Sequence, residues 1–236
     1  MNSLQFMYNR SNEKNLLILH EDNHIIVINK RCGDIVQGDK TGDTPLLDHV
    51  KKYIKFKYKK PGDVFLGTVH RIDRPTSGAI IFAKTSKALS RLNKMLVDKD
   101  IKKTYWAIVK NKPKKDYGTI VSWLKKNPKN NKSTNYLKEG SDKKKSILDF
   151  EIIKTLDNYY LLEIKLKTGR HHQIRCQLSS IGSPIKGDLK YGAKRSNKNS
   201  GINLHSRKLE FIHPVSKKYI NLTSPTPMDP IWDSCL

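Results

Sequence analysis

Short, apolar-rich runs of four to nine residues, each closed by turn-forming residues, recur along this chain and limit what it can fold into. Leu16-Leu17-Ile18-Leu19 and Ile25-Ile26-Val27-Ile28 flank the turn Glu21-Asp22-Asn23. Val64 to Val69, Ala79 to Ala83, Thr104 to Val109, Thr119 to Leu124, Ile147 to Thr155 and Tyr159 to Lys167 repeat the pattern. Two late runs, Asn203 to Phe211 and Lys218 to Leu222, close it. Runs of this length, rich in Ile, Val and aromatics, predict strands rather than helices. Asp157-Asn158 fits a hairpin turn between two of them.

Helical spacing is rarer. A helix is expected from Asp43 or Thr44 with Pro45 in its first turn and Leu46, Leu47, Val50 and Ile54 on one face. A second should start at a Thr85 or Ser86 cap and carry Ala88, Leu89, Leu92 and Leu96. His171 to Ile181 reads as a third, stopped by Gly182. Strands outnumber helices without strict alternation. The expectation is therefore an α+β fold, a single domain with a mixed, mostly antiparallel sheet flanked by helices and loops. Residues 1–15 read as a polar N-terminal extension, 16–227 as the folded domain and 228–236 as a C-terminal tail. Lys125 to Lys145 carries eight lysines and little apolar content, and reads as a basic loop or the tip of an extended hairpin.

Charge narrows the partner. Lys and Arg number 46 against 22 Asp and Glu, a formal charge of +24. Such an excess repels itself in a compact state, and a polyanion, above all nucleic acid, offsets it. A genome rich in Lys codons exchanges Arg for Lys but does not explain the scarcity of acids. No apolar run approaches the ~18 residues of a membrane span, and Met1 to Arg10 lacks the apolar stretch of a secretory signal. Cys32, Cys176 and Cys235 are an odd, widely spaced set, which argues for a reducing, cytoplasmic setting over a disulfide framework. Nothing in the sequence calls for an oligomer, so a monomer is expected.

Several motif matches fail on context. His20-Glu21-Asp22-Asn23-His24 fits the H-E-x-x-H zinc pattern, but that pattern works on a helix and here lies between two strands, so no metal is expected. Ser183-Pro184-Ile185-Lys186 fits S-x-x-K but follows Lys167-Thr168-Gly169, in the reverse of the penicillin-binding order. Cys176 lies four residues after His172, yet beside an apolar stripe where a buried thiol is the simpler role.

Two clusters do carry chemistry. Asp73 sits between Arg71 and Arg74, after His70, in a polar stretch that ends at Gly78 between two strands. Flanking guanidiniums favour an ionised carboxylate. Such a group serves as nucleophile or electrostatic stabiliser and not as a general acid at neutral pH. The second cluster is Gly169-Arg170-His171-His172-Gln173-Ile174-Arg175, several donors at the start of an expected helix, where anions are favoured.

These residues resemble a known family. His70-Arg71-Ile72-Asp73-Arg74-Pro75-Thr76-Ser77-Gly78 with Ile80 to Lys84 is similar to the signature of the RluA-type pseudouridine synthases. So are Lys103-Thr104-Tyr105-Trp106-Ala107-Ile108-Val109, Leu166 to Arg175, Gly182 to Asp188 with Tyr191-Gly192, and Leu204-His205-Ser206 to His213-Pro214. The matches run in family order from about residue 16 to 227. Ile72, His171, Gln177 and Arg31 depart from the usual Leu, Thr, His and Pro. The resemblance implies the pseudouridine synthase fold and an isomerase that turns uridine of ribosomal or transfer RNA into pseudouridine, with no cofactor. It implies Asp73, Tyr105 and Arg175 as catalytic residues, and Arg71, Arg74, Lys84, Arg170, His172 and Gln173 as RNA contacts. An inactive RNA-binding relative, such as an assembly factor, is the second reading. A nucleosidase acting on free nucleosides is the third, and it needs no such basic surface.

Overall fold

The computed structural model describes residues 10–39 and 41–236. Most of the expected N-terminal extension thus lies outside the described residues. The chain gathers into two compact units: residues up to Lys102 with Ser206–Trp232, and Lys103–His205 with Asp233–Leu236.

In the first unit, β1 (Ile18–Glu21) and β2 (Ile25–Lys30) form the expected hairpin. β2 pairs in turn with β4 (Ser77–Ala83), Ile25 opposite Ala83 and Lys30 opposite Gly78. β10 (Leu204–Ile212) follows β4, and β11 (Tyr219–Thr223) pairs with β10. Every residue of β2 and β4 is buried, because period-two alternation sends their side chains to two covered faces. Ile26, Ile28, Ile80 and Phe82 pack with Leu46, Val50 and Ile54 of α1 (Leu46–Lys57). Ile25, Val27, Ala79, Ile81 and Ala83 pack with Ala88 and Leu92 of α2 (Ser86–Val97). Each of the Ile, Val, Leu and Phe side chains among them contributes about 1.5–3 kcal/mol by burial. α2 starts where expected, the Thr85 hydroxyl accepting the Ala88 N–H at 3.1 Å, whereas α1 starts at Leu46, later than expected, because Pro45 is extended and stands before the first turn rather than in it.

The expected strand Val64 to Val69 shrinks to β3 (Gly67–Thr68). β3 pairs only with Ala83 and Phe82 at the end of β4, since β10 takes the rest of that edge. The fit against β10 is close. Gly78 has φ +114°, and a Cβ there would fall within 2.4–2.8 Å of the Ser206 backbone, so a side chain has no room. Where a bare tail was expected, Pro230–Asp233 forms a short helix, α4, with Trp232 buried.

The second unit is an antiparallel sheet in the order β5-β9-β8-β6-β7. Its strands are β5 (Lys102–Val109), β6 (Tyr117–Asn127), β7 (Lys132–Tyr136), β8 (Lys144–Thr155) and β9 (Tyr160–Leu166). β7 was not expected as a strand. The Lys-rich segment is an extended hairpin in which Trp123 pairs with Tyr136 and Asn127 with Lys132. α3 spans Gln173–Ser180 and stops at Gly182, φ +84°. It starts two residues later than expected because His172 is left-handed, φ 52°, so His171 and His172 precede the helix. The α+β class with a mostly antiparallel sheet is the one the sequence predicts. No helix among the described residues is long and apolar enough to cross a membrane.

Candidate active site

Asp73 lies on the segment joining β3 to β4, and backbone anchors fix that segment along its length. At its start, the His70 ring accepts the Ile81 N–H through Nε2 at 3.2 Å, which leaves the ring proton on Nδ1. Ile72 is buried and nails the middle to the core. The Asp73 carbonyl accepts the Thr76 N–H at 3.0 Å, closing a turn over Arg74-Pro75. The Arg74 carbonyl accepts twice, from the Gly33 N–H at 2.9 Å and the Lys30 ammonium at 3.1 Å. Asp73 itself is half-buried.

Lys30 is the residue that sequence reading missed. It is fully buried, and its Nζ also donates to the carbonyls of Arg31 at 2.9 Å and Asp34 at 2.8 Å. All three ammonium protons are thereby satisfied, and the lysine ties the turn after β2 to the Asp73 segment. Burial lowers its pKa to about 8, against the pull of Asp34, Cys32 and Asp73. On sequence it ends an apolar strand and reads as a cation reaching for water. The one signal was its place at the close of a continuously apolar run.

The two flanking arginines differ in their surroundings. The Arg74 guanidinium turns to Asp43 at 2.7 Å and Asp39 at 3.5 Å and also bonds the Thr41 hydroxyl. Arg71 is exposed. Lys84, expected to face RNA, has a side chain only 9 % exposed and an ammonium 3.0 Å from Glu21.

The second unit holds Tyr105 and the Arg170–Arg175 cluster. Tyr105 sits mid-strand in β5 opposite Ile164 of β9 and is buried. Arg175, on α3, makes a two-pronged pair with Asp188: Nε to Oδ2 at 2.7 Å and Nη2 to Oδ1 at 2.9 Å. Both side chains are nearly water-free, at 6 % and 1 % exposure. The guanidinium also lies 5.1 Å from the centre of the Tyr191 ring. Forked geometry at low exposure fixes the cation in one orientation.

Gln173, His172 and His171 are bonded within the protein. Gln173 accepts from the Thr168 hydroxyl at 2.8 Å and the Arg170 N–H at 3.0 Å, and donates to the Ile147 carbonyl at 3.0 Å. These bonds brace the turn that leads into α3, whose N-cap residue His172 makes no side-chain cap bond. His172 is buried, with Nδ1 2.9 Å from the Tyr191 hydroxyl. That hydroxyl accepts the Ser133 N–H of β7 at 2.8 Å. His171 stacks on His172 and meets the Ser133 hydroxyl at 2.9 Å. Arg170 stays exposed, with its Nε on the Lys145 carbonyl. Cys176 is buried and donates to the Ser133 carbonyl, and burial pushes its thiol up to about 11, which removes it as a nucleophile. His20 and His24 lie on the β1–β2 hairpin, and among the described residues no cluster of ligands suits a metal ion.

The chain resembles known proteins over most of its length. The family model for RNA pseudouridylate synthase matches residues 24–180, a span that holds Asp73, Tyr105 and Arg175. An uncharacterized RNA pseudouridine synthase of Bacillus subtilis, YlyB, is 33 % identical over 215 residues, 90 % of this chain and 69 % of that protein. The ribosomal large subunit pseudouridine synthase C of Buchnera aphidicola subsp. Acyrthosiphon pisum is 36 % identical over 221 residues, 90 % of this chain and 68 % of that protein. Among solved structures, human RNA pseudouridylate synthase domain containing 4 superposes with a TM-score of 0.75 over 90 % of this chain and 89 % of that one. At 22 % identity that is a likeness of fold. The family model and these relatives show that the chain belongs to the RNA pseudouridine synthases, isomerases that convert uridine in RNA to pseudouridine.

Proposed function

We propose that this chain isomerises a uridine of large-subunit ribosomal RNA, with Asp73 as the catalytic carboxylate. Relatives named as ribosomal large subunit synthases C and D support the choice of RNA. The reaction breaks the bond from N1 of the base to the sugar, turns the base, and rejoins the sugar to C5; the C5 proton leaves and N1 takes one up, so the product is an isomer. An ionised carboxylate is suited to capture an oxocarbenium-like sugar while the base stays bound. The base departs as a delocalised anion, so a single carboxylate suffices.

The observation that carries this reading is the anchoring of the Asp73 segment by His70, Ile72, Thr76 and Lys30. A side chain that must meet one atom of a flipped nucleotide gains most from a fixed backbone. Tyr105 is assigned contact with the target base and help in removing the C5 proton. Arg175, immobilised by Asp188, is assigned a fixed positive charge in the same machinery. Arg71 and Arg170 are exposed and take the role of phosphate contacts. Extruding the base costs about a few kcal/mol, which phosphate and stacking contacts offset.

The test is to map pseudouridine in ribosomal RNA from cells with the gene, without it, and with Asp73→Asn, alongside release of the C5 proton by purified protein. One site should vanish in both altered strains, and turnover should fall at least about a thousandfold, the scale of losing a catalytic nucleophile. Asn is nearly isosteric, so the fold should persist. Normal turnover by the Asn protein overturns the assignment of Asp73. Release of base from free uridine turns the reading toward a nucleosidase.

A further inference from the structure

The end of α1 has a composition unlike the rest of the first unit. Lys51 to Lys60 holds six lysines, three aromatics and no acid. Leu46, Val50 and Ile54 face the core, which puts Lys52, Lys55 and Phe56 on the outward side of the helix. Phe56 is 89 % exposed there. It adds nothing to the core, and an apolar ring of that size left in water is a cost to solubility. Tyr58 is 42 % exposed, with the ammonium of Lys84 4.7 Å and that of Lys57 5.3 Å from its ring centre.

This surface is built and held. The buried carboxylate of Glu21, on β1, accepts four bonds. Tyr53 Oη at 3.0 Å and Lys57 Nζ at 2.7 Å meet one oxygen; Tyr58 Oη and Lys84 Nζ, both at 3.0 Å, meet the other. Burial would raise the Glu21 carboxyl, but those four donors outweigh it and bring it down to about 2. The helix then ends in a tight two-bond cap, Lys60 N–H to the Lys55 carbonyl at 3.0 Å and Lys59 N–H to the Phe56 carbonyl at 3.3 Å. Lys59 occupies the left-handed position of that cap, φ 48°, where glycine is the low-strain choice. A cation is kept there against backbone preference.

We propose that this end of α1 is a docking platform for a single-stranded segment of the substrate RNA, outside the nucleotide that is modified. The proposal rests on the RNA reading given above. Phe56 stacks on a base, Lys52, Lys55 and Lys59 pair with the phosphates on either side, and Tyr58 offers a second ring backed by two cations. Aromatic rings interleaved with lysines, with no acid among them, match a strand of bases and phosphates in charge and shape. Lys84 follows one end of β4 and Asp73 precedes the other, so the strand sets the two regions about 20 Å apart. That separation corresponds to about six stacked nucleotides. The platform therefore reads the RNA that leads to the target uridine.

The test uses the whole chain with three probes: the target transcript, an unstructured oligouridylate, and vesicles of phosphatidylcholine with phosphatidylserine. Phe56→Ala should weaken binding of both RNAs about 5- to 100-fold, the range of one lost base stack. Phe56→Trp should restore it. Lys52→Ala with Lys55→Ala should flatten the salt dependence of binding by about one to two counterions. The thermal midpoint should not move, since Phe56 is exposed, and the loss in modification should fall on KM rather than kcat. Unchanged RNA affinity and KM in all variants, with wild-type protein modifying its RNA, overturns the platform and leaves the isomerase reading standing. Wild-type protein that makes no pseudouridine, yet loses RNA affinity on Phe56→Ala, sinks that reading and keeps the platform. Vesicle binding lost on Phe56→Ala at unchanged RNA affinity overturns the platform in favour of a membrane surface.

Discussion

Lys30 carries a net charge into a water-free position and survives there because three carbonyls take its three protons. Replacing it by Met keeps the stem and removes the donors. Each orphaned carbonyl costs about 1–3 kcal/mol, set against the relief of a buried charge, so Lys30→Met should cost about 2 kcal/mol or more at pH 7 by urea melts. A pH series separates the charge from the packing. The folded pKa of about 8 lies below the unfolded 10.5, so the unfolded chain binds the extra proton between those values. Stability from this group therefore rises as pH climbs from about 8 to 10.5, by up to about 3 kcal/mol. The wild type should show that gain over the Met variant. Parallel curves for the two proteins show that the ammonium is not the source. The acceptors on residues 31 and 34 are local and the one on residue 74 lies 44 positions away, but all three are backbone carbonyls, which residue types do not reveal, whereas the polar, glycine-ended segment around Asp73 stands out in the sequence.

Elements were legible where their period was clean. β2 and β4, buried on both faces, appear through the apolar runs at 25–28 and 79–83, and α1 and α2 show their buried stripes at helical spacing. β7 was not legible, because Lys132-Ser133-Thr134-Asn135-Tyr136 has neither alternation nor apolar content. Its place is set by partners elsewhere: the β6 ladder, and Ser133, whose N–H goes to Tyr191 and whose hydroxyl goes to the His171 carbonyl. The start of α3 was misread for the same reason. His172 is left-handed and its ring is held by Tyr191, a residue 19 positions later. One hydroxyl thus ties the basic hairpin to the entry of the helix that carries Arg175. Burial pushes it up to about 12, so it stays protonated throughout the working range. Tyr191→Phe keeps the ring and strips the partner from a buried N–H and a buried imidazole. A loss of about 1–3 kcal/mol is expected, with faster hydrogen exchange in Lys132–Tyr136. Unaltered exchange there would mean the β6 ladder alone holds the hairpin.

At the scale of the whole molecule, the charge of +24 must act in two opposite directions. Without RNA it is self-repulsion, and salt screens it: the Debye length falls from about 10 Å at 0.1 M to about 3 Å at 1 M. Few acids are available to offset the lysines, and Glu21, Asp43, Asp188 and Asp149 are already committed to close pairs. The thermal midpoint of the free protein should therefore rise with potassium chloride over that range, by several degrees if relief amounts to about 1–2 kcal/mol. With RNA the same cations displace counterions, so affinity should fall with a log–log slope of about −0.7 to −0.9 per phosphate contacted. One salt titration, followed by melting without RNA and by binding with it, should give slopes of opposite sign. A midpoint that ignores salt while affinity still falls shows that the lysines repel each other too weakly to destabilise the fold. The surplus charge then serves RNA capture without a penalty in stability.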